Sequence, residues 1–426
     1  MTGILRETPM RQIGSLAALI VAIQSVSMNE PYDVMAPTHD RARRDAALAK
    51  LRREDPVHWD EKNEWWLITR HADLREVSRE PARFSSEPKG AWHAFEAHFS
   101  MQAMDGEPHQ RHRSLVNSAF TPRMVSGLGE RARTFADDAI DALGNRDHGE
   151  FVRELAVPVP MRIIAEMLGV RDDRLDDFRR WTDATVAVAG GPMTPEQTEQ
   201  TYACLGEFHA WLAEEVERRR IEPADDLISR LLVADAAGEI HFRGEDNHER
   251  LASSEVTDFA MFLLIAGNET TRNAISQGML TLFENPGERE RLLENPDLWQ
   301  TAAGEVLRWT TPVRAMRRVA MEESELGGKT IREGDSVVLV YASGNRDEEV
   351  FTDPDQFRVD RTPNDFLSLG FGPHYCLGAN LAQLEIRIVL ERILQRLPKI
   401  RLAQGASARQ TKSALIDGLE ELPVEW

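Results

Sequence analysis

Leu369-Gly370-Phe371-Gly372-Pro373-His374-Tyr375-Cys376-Leu377-Gly378 sets a cysteine inside a glycine-rich loop. Glycines let backbone approach something flat and bulky. Leu381, Leu384, Ile388, Ile393 and Leu397 follow near helical spacing and Pro398 stops the run, which predicts a helix over about 377–397. Cys376 then lies at a helix N-terminus, where the dipole and the unpaired N–H groups favour thiolate over thiol. A buried structural cysteine in a tight turn has the same local pattern, so the rest of the chain must decide.

A second stretch, Ala266-Gly267-Asn268-Glu269-Thr270-Thr271, interrupts a long helical pattern over 254–283. Consecutive polar residues inside an apolar helix are costly when buried without partners. One reading is a helix end with solvated side chains. The other is chemical: Gly267 leaves room beside the helix, and Thr270 bonds back to the Ala266 carbonyl, loosening the turn and opening a groove. Glu305 and Arg308 share a helix face at i, i+3, a pair contributing only about 0.2–0.5 kcal/mol on an exposed helix. His109 and Arg113 share a face at i, i+4 within Glu107-Pro108-His109-Gln110-Arg111-His112-Arg113. A metal cluster of Glu107, His109 and His112 is the rival there, and Arg111 and Arg113 make the local field hostile to a cation.

Taken together, residues 30–426 resemble the cytochrome P-450 (haem-thiolate monooxygenase) superfamily of the soluble bacterial type. Gly372, His374, Cys376 and Gly378 match the cysteine loop, and Ala266–Thr271 matches the oxygen-activation motif. Glu305 and Arg308 match ExxR, and His109 and Arg113 match HxxxR. The resemblance implies a mainly α fold with minor β around a buried haem. Cys376 would be the axial iron ligand of haem b, otherwise non-covalently held, in a thiolate environment suited to haem iron. Ala266, Gly267 and Gly378 would contact the haem. His109, Arg113, Arg317 and His374 would partner its propionates, cations there offsetting burial of the carboxylates. Glu269 and Thr270 would be the acid–alcohol pair that delivers protons. Arg361 is expected as the third member of the Glu305–Arg308 cluster, because Gln356 stands where the family has arginine. Trp92, Phe95, Phe99, Leu263, Val313, Ala315 and Ile416 would line the substrate pocket, with a last hairpin over 415–424 reaching the substrate. Leu369 stands where the family usually has phenylalanine, so the family's packing and redox tuning beside the sulfur do not carry over from the resemblance, whereas the ligation does.

The implied reaction inserts one atom of dioxygen into a C–H bond of a hydrophobic small molecule that is steroid-, terpenoid- or lipid-like. Electrons would come from a separate ferredoxin or flavodoxin. A non-catalytic haem-binding or gas-sensing protein and a peroxide-driven enzyme of the same fold are the alternatives. The Glu269-Thr270 pair speaks against the peroxide-driven enzyme, whereas a gas sensor could keep Cys376 without needing that pair.

The composition agrees. Of 426 residues, 42% are hydrophobic, enough for a large core, and the net charge of −20 argues against nucleic acid. Two cysteines, Cys204 and Cys376, exclude a disulfide framework, and no Cys-x-x-Cys-His occurs for covalent haem attachment. No run of about eighteen apolar residues predicts a membrane span. Arg6 and Arg11 precede a short apolar stretch over 16–23 that lacks a signal-type cleavage pattern. Residues 1–29 therefore read as an extension of uncertain status on a cytoplasmic protein. The pattern also predicts a helix over 40–54, a hairpin of 57–59 with 65–69, and near-continuous helix over 109–220 broken at 189–192. Further helix is expected over 286–309, strands at 318–322 and 336–342, and an irregular connection over 353–364.

Overall fold

The computed structural model describes residues 41–87, 101–119, 122–189, 193–236, 253–413 and 415–426. The long helix Ser253–Glu284 packs against the helices Pro158–Met167, Pro195–Ile221, Trp299–Thr310 and Ala379–Arg396. Leu264, Ala274, Ile275, Met279 and Leu282 are buried along it. They share one core with Phe135, Ile163, Phe208, Leu307 and Leu390 from its neighbours. Each fully buried side chain of this size contributes about 1.5–3 kcal/mol.

The helix ends follow local chemistry. Thr194 caps Pro195–Ile221: its hydroxyl accepts the Gln197 N–H at 3.2 Å, and the Gln197 side chain returns to the Thr194 N–H at 2.9 Å. Trp299–Thr310 stops at Thr311, in the left-handed region with φ 44°, just before Pro312.

A five-stranded sheet takes the order Val57–Asp60, Trp65–Ile68, Ser336–Leu339, Met316–Ala320, Phe84–Ser85. Trp65–Ile68 runs parallel to Ser336–Leu339, and the other pairings are antiparallel. Side chains alternate between faces. Ile68, Val337 and Leu339 enter one core with Leu74 and Leu367, while Leu67 and Val338 enter another with Leu48 and Ala315. The helix Arg41–Glu54 and the hairpin at 57–68 form where the pattern put them.

Four expectations change. The helix over 109–220 is interrupted by the strand His148–Glu150, which follows Gly144 at φ 61° and pairs with the C-terminus. The strand expected to reach 342 ends at Leu339, because Tyr341–Gly344 turns helically and the Gly344 N–H donates to the Val340 carbonyl. The last helix starts at Ala379 rather than 377. The last hairpin is formed by Arg409–Gln410 with Leu419–Glu421, while Pro423–Glu425 pairs with His148–Glu150 and Arg401–Leu402. The break read at 189–192, Trp92, Phe95 and Phe99, and residues 1–29 lie mostly or wholly outside the described residues. No helix among the described residues is long and apolar enough to cross a membrane.

Candidate functional site

The cysteine loop is held by its own backbone. Gly372 takes φ 73°, and a Cβ there would meet the Ser78 carbonyl oxygen at 2.5 Å, so glycine lets the loop lie on the helix His71–Arg79. The Cys376 N–H donates to the Leu369 carbonyl at 2.7 Å. Leu369 itself is packed into the main core. The Cys376 thiol is deeply set yet keeps a partly accessible face. Burial pushes it above its ordinary value, while the Gly378 N–H and the Arg113 charge pull the other way. Desolvation therefore outweighs the expected stabilisation of thiolate, since the helix begins three residues later. A metal cation at the sulfur would reverse that balance.

Histidines and arginines gather beside the loop. His374 Nε2 lies 3.0 Å from Asp105 Oδ1 and 3.0 Å from Ser86 Oγ. Asp105 also accepts the Ser85 hydroxyl at 2.7 Å and the Ser86 N–H at 2.7 Å. Burial would raise the Asp105 carboxyl, but these bonds, His374 foremost, hold it below its ordinary value. The His109 ring stands 4.2 Å from that of His374. Burial, followed by the His374 and Arg113 charges, pushes His109 down to about 4. At that value His109 carries no charge near pH 7. His112 turns its Nδ1 to the Pro108 carbonyl at 2.6 Å. Arg113 donates to the Tyr375 carbonyl at 2.5 Å. Arg317, on the strand Met316–Ala320, donates to the Ser336 hydroxyl, and burial pulls it down to about 10.

On the long helix, the Thr270 hydroxyl donates to the Ala266 carbonyl at 2.8 Å, and the helix stays continuous there. A Cβ on Gly267 would meet Ile164 Cδ1 at 2.9 Å. Glycine at 267 thus lets the neighbouring helix Pro158–Met167 approach closely. Glu269 is buried, with Arg272 Nη2 3.8 Å from its Oε1. Burial raises the Glu269 carboxyl and Arg272 lowers it; burial also lowers Arg272. Both amide atoms of Asn268 are buried without a hydrogen-bond partner among the described residues.

Leu263 lies on the helix face of Ala266 and Thr270, at i, i+3 and i+7. Val313 and Ile416, both half-buried, meet in an isolated antiparallel bridge, flanked by the Arg314 N–H donating to the Leu415 carbonyl at 2.8 Å. Ala315 is fully buried among Leu48, Leu67, Val338 and Val340. Trp92, Phe95 and Phe99 fall outside the described residues.

Glu305 and Arg308 have no exposed side-chain surface and bond twice, at 2.7 and 2.8 Å. Arg361 Nε adds bonds of 3.2 and 3.0 Å to the same carboxylate. Gln356 contributes through its backbone: its carbonyl accepts from Arg308 at 3.1 Å and from Arg361 at 2.8 Å. Asp105 was not singled out from the sequence; its only signal is a place four residues before His109.

Comparison with known proteins agrees with this geometry. A family model described as Cytochrome P450 matches residues 57–400. The Steroid C26-monooxygenase of Mycolicibacterium smegmatis is 34% identical over 400 residues, covering 89% of this chain and 90% of that protein. The Linalool 8-monooxygenase of Pseudomonas putida is 34% identical over 394 residues, covering 88% and 94%. The Methyl-branched lipid omega-hydroxylase of Mycobacterium tuberculosis is 37% identical over 404 residues, covering 90% and 91%. Among solved structures, the Bacillus megaterium cytochrome P450 in complex with testosterone superposes with a TM-score of 0.78 at 30% identity, covering 89% of this chain and 98% of that one. The chain belongs to the cytochrome P450 family and is an oxidoreductase of the monooxygenase class.

Proposed function

We propose that this enzyme hydroxylates a steroid-, terpenoid- or lipid-like molecule with dioxygen, using haem b bound through the Cys376 thiolate. The family implies haem, and the donor set fits it. Cys376 offers a partly accessible thiol. Beside it, apart from its chain neighbours, no heavy atom among the described residues lies within 4 Å of where a Cβ on Gly378 would sit, at an ordinary φ of −82°. Nothing in the protein demands glycine there, whereas a flat group lying on the loop would. Arg113 and Arg317 would meet the propionates as cations, and a carboxylate beside Arg317 would offset its desolvation. His109 would donate as a neutral imidazole, and His374 is held in place by Asp105. The single observation that carries this reading is the Cys376 thiol, set among these groups.

The bound haem would supply the site at which dioxygen is reduced and cleaved. The chain's own residues would handle protons and substrate. Because the Thr270 hydroxyl proton is held by the Ala266 carbonyl, its oxygen presents lone pairs and accepts a hydrogen bond from a water. Glu269, raised by burial, would pass protons on at neutral pH with Arg272 steadying its charged form. Leu263, Val313 and Ile416 offer apolar surface to the substrate. The named activities of the relatives on steroids, linalool and methyl-branched lipids support that substrate class.

A separate ferredoxin or flavodoxin would bring the electrons, working in the cytoplasm. Its docking is supported by a local group of arginines, of which Arg75 is paired with Asp365 and Arg79 is exposed, on a chain of net charge −20. The Arg75 and Arg79 guanidinium groups lie 4.2 and 4.7 Å from the Phe371 ring centroid, and Tyr375, to whose carbonyl Arg113 donates, is 41% exposed. An acidic donor protein complements that surface.

The test is an optical titration of the haem-loaded protein with steroids, terpenoids and fatty acids. Ligands that displace the iron-bound water shift the main absorption band, and those compounds should then give hydroxylated products with a ferredoxin system. A panel giving neither shift nor product, while other small-molecule classes give both, would overturn the substrate class.

A further inference from the structure

Asn345 joins the Glu305–Arg308 cluster to the cysteine loop, and it belongs to neither motif. Its side chain is fully buried. Its Oδ1 accepts the Leu367 N–H at 2.6 Å. Its Nδ2 donates to Thr311 Oγ1 at 2.8 Å and to Ser368 Oγ at 2.7 Å. Both hydroxyls have already committed their protons: Ser368 donates to the Leu307 carbonyl at 2.6 Å, and Thr311 to the Arg308 carbonyl at 3.0 Å. The Leu367 N–H can only donate, and these two oxygens can only accept. A single orientation of the amide satisfies all three. The backbone is engaged as well, since the Asn345 carbonyl accepts from Arg308 Nη1 at 2.8 Å.

The bonds run onward to the sulfur. Leu367 and Ser368 lead directly into Leu369, whose carbonyl accepts the Cys376 N–H at 2.7 Å. The Gly370 N–H donates back to the Leu367 carbonyl at 2.9 Å. At the other end, Arg308 is clamped by Glu305, itself shared with Arg361. A rigid ion cluster is therefore connected to the segment that leads into the cysteine loop through one side-chain amide.

We propose that Asn345 is a positioning residue for Cys376: its amide fixes the register of the cysteine loop on the helix Trp299–Thr310 and so sets how the sulfur meets the iron. This rests on Cys376 being the iron ligand. Removing the amide leaves the buried Leu367 N–H without an acceptor and frees the loop to shift. The sulfur should then reach the iron in more than one geometry.

The experiment uses haem-loaded Asn345→Ala and Ser368→Ala, with Val216→Ala as a control whose buried side chain lies on Pro195–Ile221. Ferrous carbon-monoxide spectra, the ferric–ferrous potential and Tm are measured for each. In Asn345→Ala the fraction lacking the red-shifted carbon-monoxide band should rise about tenfold, the scale expected from one lost buried hydrogen bond. Its potential should move away from that of the parent. Ser368→Ala, which keeps the Leu367 bond, should move both readouts in the same direction by less, and it stands in if Asn345→Ala does not fold. Val216→Ala should lower Tm and leave band and potential unchanged. The proposal is overturned if Ser368→Ala and any folded Asn345→Ala keep the parent's band and potential, or if Val216→Ala changes them equally at a matched loss of Tm. A Cys376→Ser sample separates the underlying assumption: if it retains the red-shifted band, the ligand assignment fails, whatever Asn345 does.

Discussion

Thr270 has one hydroxyl proton, and the Ala266 carbonyl holds it. Thr270→Ala keeps the helix, since alanine is the better helix former, but removes the oxygen proposed to steer a water to the cleavage site. Reductant consumption should continue, while product per electron falls severalfold and hydrogen peroxide rises. Glu269→Gln should instead slow the whole cycle. Measuring reductant, product and peroxide together checks this, and full coupling in Thr270→Ala would remove the threonine from the proton route. Glu385 is a second residue whose burial has a measurable consequence. Its Oε2 is buried without a hydrogen-bond partner among the described residues, and burial pushes its carboxyl up to about 8. A folded pKa above the unfolded one favours the folded state at low pH. That contribution is complete below about 4.5 and is lost as pH rises through about 8. Glu385→Gln should therefore match the parent near pH 4.5 and exceed its Tm by a few degrees at pH 8. Parallel Tm–pH curves for the two proteins would show that Glu385 does not titrate in this way.

At the scale of elements, the Glu305 carboxylate ties Trp299–Thr310 to the connection over 353–361 through Arg308 and Arg361. Breaking a buried pair leaves an uncompensated charge, at a cost of about 3–5 kcal/mol. Glu305→Ala, which leaves the buried Arg308 and Arg361 both without a counter-charge, should lower stability by that order in denaturant unfolding and release haem sooner on dilution, whereas a surface change such as Lys50→Ala should do neither. The part of this cluster legible in the sequence was the i, i+3 pair and the candidacy of Arg361. The backbone role of Gln356 was not, because a carbonyl carries no residue signature. Long elements were readable because many residues vote for them: the helix Ser253–Glu284 lies within a residue of its apolar pattern. Short strands were not. Pro423–Glu425 takes its partner from His148–Glu150, far away in the chain, and three residues hold too little pattern to specify that register.

Across the whole molecule, a net charge of −20 would disfavour the approach of the proposed acidic electron donor, so its docking would fall where cations gather. Arg79→Glu should raise the KM for an acidic ferredoxin about 3–10-fold at low salt, with the difference shrinking as ionic strength rises. An equal KM at every salt concentration would put the docking surface elsewhere. The candidate site was legible in the sequence where motifs carry it, at Cys376, Thr270 and Glu305. Asp105 and Asn345 escaped because their partners, His374 and Leu367, lie 269 and 22 residues away. The neutral state of His109 escaped because it depends on burial and on cations brought together only by folding. If Cys376 binds the iron as thiolate, the ferrous carbon-monoxide spectrum reports it. The parent should show the red-shifted band of a thiolate-ligated haem and Cys376→Ser should lose it, with Cys204→Ser unchanged. Retention of that band in Cys376→Ser would contradict the account.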